Sequence, residues 1–397
     1  MIMLTRRIFL TLIFSHFLII SFSQSRLTIE VKNPTADYRE ELISTDMEHV
    51  KSRVGESFRV LDAAGLDIPF QISHDQQLLV QVFLRPKGTA RYTIVAGTPP
   101  HFDTVCHGAL HPERKDDLAW ENDRGAYRLY GPALQRTGER SYGIDVWTKN
   151  TPELVVDQRY YIEDVVMMPI VDSLRRVNRP RGDSLYRTIS YHHDHGRGLD
   201  PYRVGATLGC GAPALMLGDS IVMPYCFKTY EILDDGPLRF SVHLTYNEVN
   251  INGNKVVEHR LITLDKGSNF NSMTVWYEGF ENVPDNLSLC SGVVIQRDAP
   301  EPVVLGSNFV SYTDPTDQPN LHQAPLYVAA LFPNGPVSTH RQHGHALGIH
   351  PAYDGSRYTY YFGSAWAKYD VRTPEEWQAR IDWFLRNLQQ PLIISIQ

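Results

Sequence analysis

The sequence predicts an all-β protein, one large antiparallel β-sandwich with a single C-terminal helix, on three observations. Short runs of alternating apolar and polar residues recur along most of the 397 residues. Hairpin-turn dipeptides separate consecutive runs in the middle of the chain. Near the C-terminus alone, a helix-start signal is followed by apolar residues at helical spacing.

In chain order, residues 1–23 come first. Arg6 and Arg7 form a positive start, residues 8–20 are mostly apolar, and Ser21 and Ser23 stand at −3 and −1 before Gln24. This is the pattern of a secretory signal peptide cleaved before Gln24, leaving residues 24–397 as a single large β-sandwich domain in the periplasm or outside the cell. The alternative is a membrane anchor, but the apolar run is shorter than the ~20 residues that a spanning helix needs. No later stretch is apolar enough to span a membrane.

Strand patterns follow at residues 27–31 (LTIEV), 78–84 (LLVQVFL) and 90–96 (ARYTIVA), then at 127–130, 143–149 and 186–191. Residues 220–279 are the clearest. Asp235-Gly236 and Asn252-Gly253 each separate two alternating runs, and a broad antiparallel sheet of this kind needs a second sheet to cover it. Thr373-Pro374-Glu375-Glu376 then reads as an N-cap, a proline at N1 and a glutamate at N3. Trp377, Ile381, Phe384, Leu385 and Leu388 make one apolar face, Pro391 ends the helix, and residues 392–396 read as a last strand. Residues 314–325 read as a long loop.

The formal charge is −7, and loss of Arg6 and Arg7 would make it −9, since residues 1–23 hold no acid. A negative chain without a Lys/Arg block excludes nucleic acid as a partner. Any anionic ligand needs a local group of cations. Cys106, Cys210, Cys226 and Cys290 allow three complete pairings in an oxidising compartment. Cys210 and Cys226 flank an expected hairpin and are the preferred pair, with buried free thiols as the alternative. GxGxxG between strand and helix, GxSxG and HExxH are all absent.

Three clusters could carry chemistry. The first is Tyr191-His192-His193-Asp194-His195-Gly196-Arg197-Gly198. If it begins as a strand end, His193 and His195 share one face, and imidazole is the side chain best suited to moving protons near neutral pH. The second is His340, His343 and His345. With His193 and His195 it could hold a divalent metal, although no cofactor is required by any motif. The third is Trp120-Glu121-Asn122-Asp123-Arg124 with Arg128 and Tyr130, where charges beside aromatic rings suit a sugar. Asp145, Trp147 and Lys149 repeat that composition, as an ordinary surface loop also would.

The runs WENDRGAYRLYGP (120–132), GIDVWTK (143–149), YHHDHGRGLDPYRVGATLGCGAPAL (191–215) and YEILDDGPLRFSVHLTY (230–246) resemble the bacterial family called domain of unknown function 4861. SYTDPT (311–316) and YYFGSAW (360–366) extend the resemblance over nearly the whole mature chain. His193 departs from the acidic residue usual at that position. The resemblance implies a glycan-utilisation setting beside polysaccharide lyases, and a supersandwich fold similar to mutarotase-like and lyase proteins. It supplies no mechanism.

Three functions fit these residues. β-Elimination or dehydration at a uronic acid needs a base, for which His192 or His195 qualifies, with Asp194 beside them. It needs a cation for the carboxylate (Arg124, Arg128 or Arg197) and a proton for the leaving oxygen (Tyr191 or Tyr202). A glycoside hydrolase would instead use two carboxylates among Glu121, Asp123, Asp145 and Asp194. A non-catalytic oligosaccharide-binding protein would need only the rings and hydrogen-bonding groups. Segments 191–198 and 120–130 are expected to meet in one cleft, with Trp120 as a wall.

Overall fold

A computed structural model describes residues 26–317, 324–335 and 337–397. The expected signal peptide lies outside the described residues, as does part of the 314–325 loop. No described helix is long and apolar enough to cross a membrane.

A nine-stranded antiparallel sheet forms one layer. In spatial order its strands are Phe227–Asp234, Arg239–Tyr246, Asn254–Asp265, Phe270–Glu278, Tyr358–Trp366, Leu326–Leu331, Phe309–Asp314 and Val303–Leu305, with Val249–Ile251 paired to Asn254–Asp265. The facing layer consists of two smaller sheets. A five-stranded one contains Ala214–Leu217, Leu287–Val294 and His345–His350, and a four-stranded one contains His107–His111, Asp117–Glu121, Ala126–Leu129 and Ile144–Trp147. Alternate residues of all three sheets meet in one core that includes Trp120, Tyr127, Phe240, Ile262, Met273, Leu289, Leu347 and Phe362. The all-β sandwich expected from the sequence is what forms.

The strands from Arg26–Lys32 to Thr89–Ala96 build two further small sheets around a core of their own, with Leu27, Ile29, Val80 and Ile94 at its centre. Strand Ile393–Ile396 pairs with Arg26–Lys32, so both ends of the described chain share one sheet. Helix Pro374–Gln389 starts as its sequence predicts, with the Thr373 hydroxyl accepting from the Glu376 N–H. Its Trp377, Ile381 and Leu385 pack on Phe270, Tyr327 and Leu331, on the other side of the nine-stranded sheet.

Three expectations need correction. Residues 186–191 are not a strand, because helix Arg179–Ile189 covers most of them. It follows helix Val156–Tyr160, the π-helical turn Tyr161–Met167 and helix Met168–Val177. The Asn178 side chain caps the last helix by accepting from the Arg181 N–H. Asn252 and Gly253 have φ 49° and 91°, the left-handed pair expected of a tight Asn-Gly hairpin. Asp235-Gly236, however, lies within a four-residue connection between Asp234 and Arg239. All four cysteines are buried free thiols, so the Cys210–Cys226 pair does not form.

Candidate functional site

The four-stranded sheet has two faces with different roles. Leu118, Trp120, Tyr127, Leu129, Ile144 and Val146 point into the main core. Asp117, Glu121, Arg128, Asp145 and Trp147 alternate with them and face the other way. The helices of residues 156–189 and the loop to Asp200 cover that second face, where Ala119, Ala126, Trp147, Val156, Tyr160 and Tyr191 form a separate apolar cluster.

Beneath this cover, Arg128 is buried among three carboxylates. It pairs with Asp145 directly across the strand pair, with Asp200 at 2.8 Å and with Asp117 at 3.6 Å. The Tyr130 hydroxyl donates to Asp145 at 3.1 Å, and that of Tyr160 to Asp117 at 3.2 Å. Burial pushes the Asp145 carboxyl up to about 7, against the pull of Arg128 and with Asp200 adding repulsion. Arg128 therefore ties the sheet to the loop that carries Asp200, and Tyr130 is bonded to Arg128 and Asp145 on the sheet itself.

Several other expected ligand-binding residues are closed off. Trp120 is fully buried between Tyr127 and Phe240, and its indole N–H donates to Asn271 at 2.8 Å. Glu121 and Lys149 form a buried ion pair at 2.6 Å. Glu121 also accepts from the Val155 and Val156 N–H groups, so it caps helix Val156–Tyr160. Tyr202 is buried in the main core. Asp123 accepts from the Gly267 N–H, and Arg124 pairs with Asp370 at 3.2 Å, on a groove elsewhere in the molecule.

The segment 190–198 is an irregular loop, not a strand end. Asp194 shapes it by accepting from the Gly196 and Gly198 N–H groups, and it approaches Lys368 at 3.4 Å. Gly198 has φ 97°, and a Cβ there would lie 2.1 Å from the Thr148 carbonyl oxygen, so glycine is required. Tyr191 stacks on Trp147 with ring centres 4.7 Å apart, and its hydroxyl accepts from Arg114. His192 Nδ1 faces the Asp200 backbone carbonyl at 3.1 Å and its carboxylate at 3.5 Å.

His193 and His195 do meet. Together with Tyr191, Arg197 and Arg159 they line a cavity of 270 Å³ whose apolar wall includes Val155 and Ile162. His195 Nε2 is 2.9 Å from the Ser190 carbonyl oxygen and must carry the proton to donate to it. That tautomer leaves a lone pair on Nδ1. Burial, followed by repulsion from His195 and His192, lowers the His193 pKa and favours its neutral form. Arg159 donates from Nη2 to the Arg197 carbonyl at 2.7 Å, while its Nη1 is buried without a hydrogen-bond partner among the described residues. Burial lowers the Arg159 pKa as well, as for a cation short of a counter-charge. Arg197 itself is ion-paired with Glu153.

The four histidines considered from the sequence as a metal set do not assemble. His345 is buried, its Nδ1 donating to the His343 carbonyl and its Nε2 accepting from the Leu208 N–H, and burial pushes its pKa down to about 4. Neither ring nitrogen is left for an ion. His343 occupies an exposed turn with φ 52°. Among the described residues, no three His, Cys, Asp or Glu side chains are grouped to hold a metal.

A second histidine cluster ties the helical cover to the sheet. His107 Nε2 meets Asp157 at 3.0 Å and its Nδ1 meets Asp235 at 2.9 Å. The Asp157 bond, then that of Asp235, raises the His107 pKa to about 10, and the same contact depresses Asp157. The His107 contribution is complete below the unfolded value of ~6.5 and is lost as pH rises through about 10. The Asp157 contribution is present above ~3.9 and is lost as pH falls. The melting-point deficit of a His107→Gln variant should therefore be largest near pH 6 and should close towards pH 10. A deficit that stays constant across that range contradicts the ion-pair account.

The family model described as "Domain of unknown function (DUF4861)" matches residues 31–394. The chain belongs to the DUF4861 family. This DUF4861 chain is 27% identical over 405 residues to "Uncharacterized protein P7" of Formosa agariphila, with 94% of each sequence covered. Among solved structures it is similar to an alpha-mannosidase from Enterococcus faecalis V583 (9% identity, TM-score 0.49, 94% of this chain and 46% of that one). It is also similar to a glycosyl hydrolase family 38 protein from Enterococcus faecalis (9% identity, TM-score 0.49, 95% and 48%). The DUF4861 chain spans about half the length of each of these two structures.

Proposed function

We propose that this DUF4861 chain is an exported carbohydrate-active enzyme that acts on uronic-acid-containing oligosaccharides by β-elimination or dehydration at the His193/His195 cavity. The observation that carries the proposal is the pairing in one cavity of a histidine with a free Nδ1 lone pair and a guanidinium with an unpartnered donor. The glycan-utilisation setting implied by the family resemblance agrees with it. A proton α to a carboxylate is removed more easily when a cation receives the charge that develops on the carboxylate oxygens.

In this mechanism Arg159 holds the uronate carboxylate and His195 Nδ1 takes the C5 proton. The C4–C5 double bond forms as the C4–O bond breaks, and the imidazolium returns its proton to the departing oxygen. No water is consumed. For a glycosidic oxygen the outcome is chain cleavage, and for a hydroxyl it is loss of water. The hydrolase alternative has less support, since Glu121 and Asp145 are buried in ion pairs and both Asp123 and Asp194 accept from backbone N–H groups.

Uronic-acid oligosaccharides, assayed together for double-bond absorbance and for new reducing ends, test the reaction. Absorbance should rise, with or without reducing ends according to the leaving group. Reducing ends without absorbance would mean hydrolysis. An Arg159→Gln variant should lose about 10²-fold in kcat/KM, the usual effect of deleting one donor to a developing anion. Wild-type turnover by that variant would remove Arg159 from the mechanism. Export predicts a mature chain beginning near Gln24 in mass spectra of protein from the native host, and an intact N-terminus would contradict it.

A further inference from the structure

A cavity of 710 Å³ forms a groove between the N-terminal sheets, helix Pro374–Gln389 and the turn that carries Asp370. Three rings line it. Tyr38 and Phe83 are 71% and 62% exposed, and the Trp383 indole N–H is held by the Tyr38 carbonyl at 3.1 Å. Single exposed apolar residues are ordinary, but three rings along one groove expose flat apolar area that the fold does not use.

The polar lining has unmet hydrogen-bonding capacity of both kinds. Although Arg124 and Asp370 are paired, and Arg124 Nε lies 3.8 Å from the Asp123 carboxylate, Arg124 Nε and Asp370 Oδ1 are both buried without a hydrogen bond among the described residues. One needs an acceptor and the other a donor, and a hydroxyl group supplies both. Arg380 and Arg372 lie on the same groove. Arg380 donates to the neutral Asn269 amide oxygen at 3.0 Å, and neither guanidinium is ion-paired among the described residues. Burial lowers the Arg380 pKa although Asp370, Glu40 and Glu376 of the same groove pull it up, so the charge is only partly compensated and a carboxylate bonded to it would be favourable.

We infer that this groove is a second, non-catalytic binding site for an acidic oligosaccharide, with the rings against sugar faces, hydroxyls at Arg124 and Asp370, and a carboxylate at Arg380. Flat rings, hydroxyl-seeking polar atoms and unpaired guanidinium groups together fit a hydroxyl-rich polyanion better than a peptide or a lipid surface. The inference rests on the groove's own residues, not on the reaction proposed at His195.

The test is calorimetric titration of the Arg159→Gln chain, in which binding at the His195 cavity is weakened. The probes are saturated tetramers of galacturonate, glucuronate and mannuronate, with neutral cellotetraose as the control. At least one acidic tetramer should bind, and cellotetraose should bind more weakly. Adding either Arg380→Gln or the exposed Phe83→Ala should weaken binding about tenfold, the scale of one charge-assisted bond or one stacked ring. Equal affinities with and without these changes overturn the inference, as does failure of every acidic tetramer to bind. Undiminished turnover by Arg159→Gln alone would instead count against the reaction and leave the groove untouched.

Discussion

Replacing Arg128 with methionine is expected to destabilise the folded chain by about 3–5 kcal/mol at pH 8, the usual cost of removing one member of a buried ion cluster. The methionine fills much the same volume, so the loss is electrostatic. Asp145, Asp200 and Asp117 would remain buried around a vanished cation. Protonation of Asp145 would relieve part of that repulsion, and this gives the prediction a pH signature. Asp145 already sits at about 7 in the folded chain, far above the ~3.9 of an unfolded aspartate. The folded state thus binds more protons between these values, and stability falls as pH rises through them. Without Arg128 that proton uptake increases, so the deficit should shrink at pH 5. Urea unfolding at both pH values measures it. A deficit under about 1 kcal/mol at pH 8 would place the cluster among weakly coupled surface pairs.

The legible and illegible parts of this fold differ for physical reasons. The pattern of residues 220–279 has period two over long runs, and only a half-buried strand produces it. The capping box at Thr373 is a local device and needs no tertiary context. The helical cover of residues 156–189 was harder to see, since many of its apolar residues face outward. Val165, Val166, Ile170 and Val177 are all more than 40% exposed, which blurs any apolar face. Two signals were available nonetheless, Asn178 before Arg179-Pro180 as a cap and the absence of Gly, Pro, Asn and Ser from 155 to 168.

The site was legible as chemistry but not as geometry. A run of three histidines pointed to the loop that lines the candidate cavity. Treating residues 120–124 as one side of a cleft ignored the alternation of a strand, which sends Trp120 into the core and Glu121 to the opposite face. Charges beside an aromatic ring in sequence need not be beside it in space. Arg159 and Asp200 carry no local mark. One is an arginine on an unremarked helix and the other an aspartate in a loop, and only the tertiary fold brings Arg159 to the cavity and Asp200 to Arg128.

The largest functional effect is expected at His195. Its Nε2–H donates to the carbonyl of Ser190, a residue with no exposed surface. His195→Ala would leave that carbonyl unpaired, at a cost of roughly 1–3 kcal/mol, so lost activity in the alanine variant alone could reflect a displaced loop. His195→Gln separates the two effects. A glutamine amide can still donate to Ser190 from nearly the same position, yet it has no basic nitrogen to replace Nδ1. The glutamine variant should melt close to the wild type and lose about 10²–10⁴-fold in kcat, the range for a general base. Binding of an acidic oligosaccharide should change far less, because Arg159 still meets the carboxylate. Normal turnover by His195→Gln would assign the histidine to loop architecture alone and return the base to an open question among the remaining residues of the cavity, with His193 the first to substitute.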